Sequence, residues 1–530
     1  MPLDELRAAN DLLRVALDRY ANACLSVKNA LADELSQPTD PIGPVLTSEL
    51  SMLKDYEAKL HESRTVISQS ANLCPDIVPL CRIPLEILVH IFQLTVDTCR
   101  PSKPHRWAGV PKYPLKLTHV CTFWRHVVRN SPSLWSRVML YPNPGTSKQL
   151  ESYIDFYSSQ AKEARMDISI FNSPDKDGPE TYGSSAFMIP TSFSGRIRSL
   201  EARLFIPRDS AAKGTDAESL LAECLLATGK TLQRFELSVA FEPSNPVPPD
   251  EEREDPEPPD RRILKIKLPD ELGDALSSIT NLSLKGAYFN WRSKAYHGLV
   301  SLRLDPSTDS PPISELELIN ILQSSPRLRY IDIDMIVSRT APDLLPVYLP
   351  ELELLVGDVS LLRLIRPGSN ELTVTITNCN PKPIYEALVK GFFSCANLVN
   401  FCSMNFLDEV SEVCHLLSMT PRLRGLALTD IKLKGVLPDL TPHTIDTLYL
   451  LDKCTVEQYF LEDIIETWAL RRVVLPRESY YMRGEEPTPS HWIENHFSAL
   501  SQRGIQLEVV PEPGSWDPPM GLFLGPFHEN

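Results

Sequence analysis

The feature that most constrains the fold of this 530-residue chain is a short apolar pattern, L-x-x-L-x-L, that recurs in its second half. Eight copies are present, and they begin at Leu232, Ile279, Leu299, Leu328, Leu349, Leu423, Ile445 and Leu470. The last two apolar positions alternate with a variable residue, which is the period of a β-strand that buries one face. Each copy therefore predicts one short strand.

Several neighbouring copies begin 20 to 29 residues apart, and helical segments lie between some of them. Ile313 to Ser324 and Val410 to Ser418 each predict a helix, and each is followed by the tetrapeptide Pro-Arg-Leu-Arg. Alternating strands and helices are typical both of an ordinary α/β domain with parallel strands and of a repeat solenoid. We favour the solenoid because the motif keeps a fixed internal spacing while the strands stay short.

The pattern and its interval resemble leucine-rich repeat proteins, although of an irregular kind, because the usual Asn or Cys after the strand is missing. Ala287, Gly357, Ile431 and Lys453 stand there instead. The resemblance implies a domain over residues 141–510 in which the strands line a concave face. The variable strand positions that would then be candidates for contact with a target protein are Arg303, Asp332, Asp334 and Thr429.

A second constraint comes from Ile83–Phe92, which predicts a short helix with apolar residues on more than one side. Pro84 suits the first helical position, since its missing N–H would be unpaired there anyway and its fixed φ fits the helix. Apolar residues then recur at helical spacing along two sides: Leu85, Leu88, Val89 and Phe92 on one, and Ile87, Ile91 and Leu94 on the other. One side can pack inward while the other takes a partner.

Two further segments complete a small helical module. An amphipathic helix from Leu117 to Val128 follows a polar, proline-broken insertion from about Asp97 to Pro114, and Ser133-Leu134-Trp135 opens a third apolar turn. The segments that carry a family resemblance are Ile83-Pro84-Leu85-Glu86-Ile87-Leu88, Val120-Cys121-x-x-Trp124-Arg125 and Ser133-Leu134-Trp135. Together they resemble the F-box, the module by which substrate receptors dock on the Skp-type adaptor of cullin-based ubiquitin ligases.

The F-box resemblance covers about residues 75–140. It departs from typical members in its longer insertion and in having Ile83 where Leu is commoner. It implies that the adaptor is contacted by Pro84, Leu85, Ile87, Leu88, Ile91 and Trp135. The alternative is a three-helix subdomain that buries all of its apolar side chains in its own core.

The N-terminal segment, residues 1–74, predicts two helices. Apolar positions alternate by four and three residues, the period of a coiled-coil seam, and Asn10 is a polar member: Leu6, Asn10, Leu13, Leu17, Tyr20, Cys24, Val27 and Leu31. A weaker stripe follows at Leu50, Leu53, Leu60 and Ile67. The two helices either cover each other as an antiparallel hairpin, or the first pairs with a second copy of the chain. The sequence leaves both arrangements open.

Composition excludes several classes of function. The net charge of -16 is wrong for a nucleic-acid binder, because phosphate recognition needs a basic field. No apolar run is long enough to cross a membrane, and the acidic start is unlike a secretory signal, so we expect an intracellular protein of the cytoplasm, the nucleus or both. The eleven cysteines include no C-x-x-C pair, which favours reduced thiols over a disulfide framework or a metal site.

Sequence signals for catalysis or a cofactor fail on geometry. Gly229-Lys230-Thr231 looks like the end of a phosphate-binding loop, but it follows a helix and precedes a strand, the reverse of the required order. His491 and His496 are five residues apart and fall on different sides of a helix. Residues 241–262 are acidic and proline-rich and predict a disordered loop, and residues 511–530 a tail.

These observations predict an α/β protein in which a helical hairpin and an F-box-like module precede an irregular leucine-rich repeat domain. The function that follows is a non-catalytic substrate receptor of a ubiquitin ligase, which needs no cofactor. It would join a Skp-type adaptor and its cullin ligase to a target protein. A leucine-rich repeat scaffold that never joins a ligase is the alternative.

Overall fold

The computed structural model combines helices and sheets. It describes residues 2–33, 42–98, 113–140, 147–171, 195–206, 221–241, 264–266, 273–306, 312–339, 344–378, 387–433, 443–476, 480–481 and 500–510, apart from isolated positions within these ranges. Two compact units are present, residues 1–85 with 121–123 and residues 86–120 with 124–530. The predicted loop at 241–262 apart from Phe241, the tail at 511–530 and the His491/His496 pair lie outside the described residues.

The first unit contains two long helices, as predicted. They are α1 (Pro2–Asp33) and α2 (Ile42–Ala71). The Tyr20 hydroxyl donates a hydrogen bond to Glu49 Oε2 at 2.9 Å, which joins the two helices. This bond to the carboxylate, together with burial, raises the pKa of Tyr20 to about 12.

The helices that follow are shorter. They are α3 (Leu85–Thr98), α4 (Thr122–Arg129), α5 (Pro132–Trp135), α6 (Ser147–Ala161), α7 (Gly273–Leu276), α8 (Glu315–Ser324), α9 (Ala387–Cys395), α10 (Val410–Met419) and α11 (Gln458–Thr467). Short 3₁₀ turns lie at Pro79–Arg82, Leu115–His119, Gly229–Thr231, Lys294–Tyr296 and Val359–Arg363. The helices predicted after residues 313 and 410 are thus present as α8 and α10.

One predicted helix is wrong in its bounds. The segment from Leu117 to Val128 forms a 3₁₀ turn followed by α4 rather than one helix. The Leu117 N–H donates to the Pro114 carbonyl at 2.9 Å and the Val120 N–H to the Leu117 carbonyl at 3.4 Å. These i to i+3 bonds make a tighter turn than an α-helix, so the chain has to restart its helix at Thr122.

In the described residues, fourteen strands form one parallel sheet. They are β1 (Arg137–Leu140), β2 (Met166–Phe171), β3 (Ile197–Ile206), β4 (Arg234–Phe241), β5 (Asn281–Lys285), β6 (Ser301–Asp305), β7 (Tyr330–Ile333), β8 (Leu354–Asp358), β9 (Leu372–Asn378), β10 (Leu398–Ser403), β11 (Gly425–Leu428), β12 (Thr447–Leu450), β13 (Arg472–Pro476) and β14 (Gln506–Val510). Their order in the sheet is their order in the chain.

Several strands lie outside this sheet and form small parallel pairings of their own. Leu264–Ile266 pairs with Ala287–Phe289, Ile313–Ser314 with Val337–Ser338, and Val347–Leu349 with Ile365–Pro367. Lys432–Leu433, Thr455–Glu457 and Tyr480–Tyr481 form a three-stranded sheet.

One row of side chains shows where the core of the large sheet sits. From β2 to β13, each strand contributes one residue in register with the next. The row consists of Ile168, Leu200, Phe235, Leu282, Leu302, Ile331, Leu355, Val374, Phe401, Leu426, Leu448 and Val473. All twelve are at most 1% exposed. The sheet is therefore stabilised by one continuous apolar layer on this face.

The copy that begins at Leu349 is wrong in register by three residues. Leu355, not Leu352, pairs with Ile331 of the preceding strand, so the true copy is Leu352-x-x-Leu355-x-Gly357. Glycine takes the last apolar position because φ is +148° there and a Cβ would lie 2.2 Å from the Ile333 carbonyl oxygen. This replacement hides the repeat from a search for leucines.

Candidate functional site

Helix α3 has two apolar faces, one buried in the protein and one exposed. Leu88, Phe92 and Val96 are 1%, 1% and 7% exposed, so one face is buried. The other side carries three large apolar residues that remain 41–52% exposed: Ile87, Ile91 and Leu94. We call these three residues the outward face of α3. Leu85, the first residue of the helix, is 52% exposed although helical spacing places it on the same side as Leu88. An exposed set of this kind on one helix is typical of a protein-binding surface.

The buried face of α3 is fixed by aromatic packing. The rings of Phe92 and Trp124 have centroids 4.6 Å apart. Gln93 Nε2 donates to Ser133 Oγ at 3.0 Å, which joins α3 to α5. Trp135, the last residue of α5, is 0% exposed and donates its indole N–H to the Val128 carbonyl at 2.8 Å. These contacts hold α3 in place while its outward face stays free.

The residues expected to contact an adaptor separate into two groups. Pro84, Leu85, Ile87 and Ile91 are exposed. Leu88 and Trp135 are buried, because Leu88 points to the packed side of α3 and Trp135 fills the interior. Leu94, which was not among the expected contacts, lies on the outward face at the i+3 position from Ile91.

The large sheet has a second row of side chains, which we call the outer row. Because side chains alternate along a strand, this row lies on the opposite face from the core row. It consists of Ser169, Glu201, Glu236, Ser283, Arg303, Asp332, Val356, Thr375, Cys402, Ala427, Tyr449 and Val474. The first six are all polar and we call them the charged half. The last six, which are apolar except for the buried Thr375, are the apolar half.

Ion pairs organise the charged half. Arg303 Nη2 lies 3.0 Å from Asp305 Oδ2, and its Nε lies 3.3 Å from Asp332 Oδ2. Glu201 binds Arg203 Nε at 2.8 Å and accepts a hydrogen bond from Ser169 at 2.8 Å. Carboxylates and guanidinium groups thus lie on β3, β4, β6 and β7, with serines on β2 and β5, and this part of the face can recognise a partner by charge.

Two carboxyls in this region resist ionisation. Burial raises the pKa of Glu236, and the neighbouring Glu201 raises it further. Burial also raises the pKa of Asp334, although the hydrogen bond that its Oδ1 accepts from Thr377 at 3.1 Å acts in the opposite direction. A cationic group placed against these carboxyls would stabilise their charged forms.

The apolar half is closed to solvent. Its six residues are at most 5% exposed, and Cys402, Ala427, Tyr449 and Val474 pack with Leu451 into one cluster. Burial, and secondarily the neighbouring Cys454, raises the pKa of Cys402 to about 12. A thiol in such surroundings stays protonated and inert at neutral pH.

The residues expected to contact a target are placed unequally. Asp334 is exposed and Arg303 is half-buried, whereas Asp332 is 3% exposed and is held by Arg303. Thr429 is 8% exposed and donates to the Ser403 carbonyl at 3.1 Å, so it lies in the interior. Only the exposed Asp334 and the half-buried Arg303 remain accessible.

Sequence reasoning missed Glu201 and Glu236, which share the outer row with Arg303. Glu236 is the variable residue between Phe235 and Leu237, so the same rule that selected Arg303 could have found it. Glu201 lies between Leu200 and Ala202, and alanine at the last position conceals the motif.

Signals for other chemistry find no support in the described residues. Gly229 has φ +58° and a 3₁₀ turn at Gly229–Thr231 leads into β4, so the lysine and threonine do not open a helix as a phosphate-binding loop requires. The described part of the chain holds no group of three or more His, Cys, Asp or Glu side chains placed to bind a metal. None of its helices combines the length and apolar content needed to cross a membrane.

The sequence matches no protein-family model and no curated protein.

Proposed function

We propose that this chain is a substrate receptor of a Skp-cullin-F-box-type ubiquitin ligase. In this role α3 docks on the Skp-type adaptor, and the polar part of the large sheet binds the target protein. The chain performs no chemistry itself. It raises the effective concentration of the target near a ubiquitin-charged enzyme, which turns a bimolecular encounter into a nearly intramolecular one.

The observation that carries the proposal is the outward face of α3. Ile87, Ile91 and Leu94 stay 41–52% exposed on a helix whose opposite side is buried at Leu88, Phe92 and Val96. The chain therefore fixes this helix through one face and leaves an apolar surface on the other. An apolar helix face is a common way to enter a partner's groove. The opening Ile83-Pro84-Leu85-Glu86-Ile87-Leu88 segment, in which the F-box resemblance begins, supplies Ile87 of this face and the exposed Leu85 beside it.

We further propose that the large sheet belongs to an irregular leucine-rich repeat solenoid. The support is the strand order, in which each of the fourteen strands pairs with its neighbours in the chain. The two Pro-Arg-Leu-Arg turns also share one geometry. The Leu328 N–H donates to the Ser325 carbonyl at 3.2 Å, and the Leu423 N–H to the Thr420 carbonyl at 3.1 Å. Recurrence of one local turn is typical of repeat proteins.

The test is direct binding of the full chain to a purified Skp-type adaptor, measured by isothermal titration calorimetry and size-exclusion chromatography. Ile87→Asp places a charge in the outward face, and we expect it to weaken binding by about 2 kcal/mol or more, at least roughly thirtyfold. Because Ile87 is 52% exposed, the substitution should leave the melting temperature unchanged.

Ile336→Asp is the matched control, since this isoleucine is 68% exposed and follows β7 rather than lying on α3. It should bind the adaptor as the unmodified chain does. A chain that binds no adaptor, with correct folding shown by circular dichroism, would overturn the ligase role and leave the scaffold alternative. Equal losses in Ile87→Asp and Ile336→Asp would refute the assigned surface.

A further inference from the structure

The two N-terminal helices leave an unusual amount of apolar surface uncovered. In α1 the seam residues Leu6, Leu13, Leu17, Val27 and Leu31 are 37–49% exposed. Among the side chains described in α1 and α2, none is buried, although the Tyr20–Glu49 hydrogen bond joins the helices. Most helical stability in proteins comes from packing of an apolar face. One hairpin does not supply that packing.

The flanks of the α1 seam differ from each other. On one flank Arg7 lies 3.9 Å from Asp4 and Arg14 lies 4.0 Å from Asp11, so this side carries exposed ion pairs. On the other flank an alanine recurs every seven residues, at Ala9, Ala16, Ala23 and Ala30. All four alanines are exposed. The seam and its alanine flank together form a smooth apolar face that allows another helix to approach closely, and we call it the open face of α1.

The two helices of the hairpin together present enough surface for a stable dimer. A helix of 32 residues is about 48 Å long and roughly 10 Å wide, so the open face of α1 covers about 480 Å², and α2 beside it brings the hairpin to on the order of 900 Å². A standard protein–protein interface buries about 800 Å² on each partner.

Charge also favours a second copy of the same chain. The two helices contain nine Asp and Glu residues and seven Lys and Arg residues, a net charge of -2 out of -16 for the whole chain. Two copies that meet through this segment therefore avoid the repulsion that the rest of the chain would produce. Asn10, a polar residue within the seam, is the kind of position that fixes the register of such a pairing.

We propose that two copies of this chain associate through the open face of α1 and form a four-helix bundle from their two hairpins. A two-fold axis would place the same surface on both partners, as in most homodimers. The inference is independent of the ligase role, because none of the residues involved belongs to the outward face of α3.

The experiment is light scattering on the full chain after size exclusion, at micromolar concentrations. One chain has a mass of 59.6 kDa, and we expect the measured mass to be twice this value. Val27→Asp, at a seam position, should reduce the mass to that of one chain. Val15→Asp is the matched control, because Val15 is 62% exposed on the side of α1 opposite the seam, and it should remain dimeric.

A second pair of variants leaves the seam intact. Ala16→Glu charges the alanine flank and should also give single chains, while Ala8→Glu on the far side should not. Both replace one good helix former with another, and circular dichroism checks that the helices persist. The proposal would be overturned if the unmodified chain had the mass of one chain. It would also be overturned if Val27→Asp and Val15→Asp had equal effects, or if Ala16→Glu and Ala8→Glu did. Adaptor binding, measured alongside, reports on α3 and separates this outcome from the fate of the ligase role.

Discussion

The charged and apolar halves of the outer row occupy equivalent positions in one sheet and have opposite surroundings. In the charged half five of six residues are half-buried, and Arg303 connects the carboxylates of neighbouring strands. In the apolar half all six residues are at most 5% exposed. Both halves lie beside the same uninterrupted core row, so strand pairing alone does not decide whether this face is open to a partner.

The largest expected effect comes from placing a charge in each half. Val474→Asp puts a carboxylate where the exposed fraction is 1%, and we expect the free energy of unfolding to fall by about 3–5 kcal/mol because the charge loses its hydration without gaining a partner. Ser283→Asp makes the matching change in the charged half beside Arg303, where about 1 kcal/mol or less should be lost. Urea unfolding monitored by circular dichroism measures both. Similar losses would show that the two halves do not differ.

A smaller effect should follow when the centre of the charged half loses its cation. Arg303→Met leaves the carboxylates of Asp305 and Asp332 facing each other, and the free energy of unfolding should fall by about 1–2 kcal/mol at pH 7. Raising the salt concentration should recover part of this loss by screening the repulsion. Arg292→Met, at an exposed arginine, is the control. If the thermal unfolding curve of Arg292→Met shifts as far as that of Arg303→Met, the ion pairs of Arg303 do not stabilise the charged half.

The smallest expected effect is a gain in stability. Because burial raises the pKa of Glu236, the native state binds more protons than the unfolded state, and stability falls as the pH rises through that range. Glu236→Gln removes the buried charge and should stabilise the chain by on the order of 0.5 kcal/mol at pH 7. Below about pH 4.5 the native carboxyl is protonated and the gain should vanish.

Thermal unfolding between pH 4 and 8 measures this gain. Glu353→Gln, where the native carboxylate accepts hydrogen bonds from Arg329, should give no gain at any pH. A Glu236→Gln variant that is less stable than the unmodified chain at pH 7 would contradict the idea that this half holds a costly negative charge.

The sequence predicts the core of the sheet better than its outer row. The copies at Leu299 and Leu328 give β6 and β7 in the observed register, because burial of one face forces apolar residues into fixed positions. Strand β10 escapes detection, since Ser403 replaces the last apolar residue and uses its hydroxyl to accept the N–H groups of Phe406 and Leu407. Strand β8 is displaced by Gly357 for the steric reason given above.

The candidate surfaces were predictable only in part. Helical spacing identifies α3 as two-sided, but it assigns Leu85 to the same side as Leu88. The structure exposes Leu85 and buries Leu88, because Leu85 begins the helix and side chains lean toward the helix N-terminus, beyond the packed turns. The burial of Trp135 depends on contacts with Val128 and Tyr157, which no local pattern encodes. The rule that selected Thr429 as a variable strand position likewise does not reveal that it lies in the interior.

The strand order has a consequence for how the chain reaches its native state. Every pairing in the large sheet joins two of its strands that follow one another along the chain. The entropy cost of closing each connection is therefore modest, and no pairing has to wait for the two ends of the chain to meet. Folding can begin at any adjacent pair and extend outward one strand at a time, so a fault in one connection delays only its immediate neighbours.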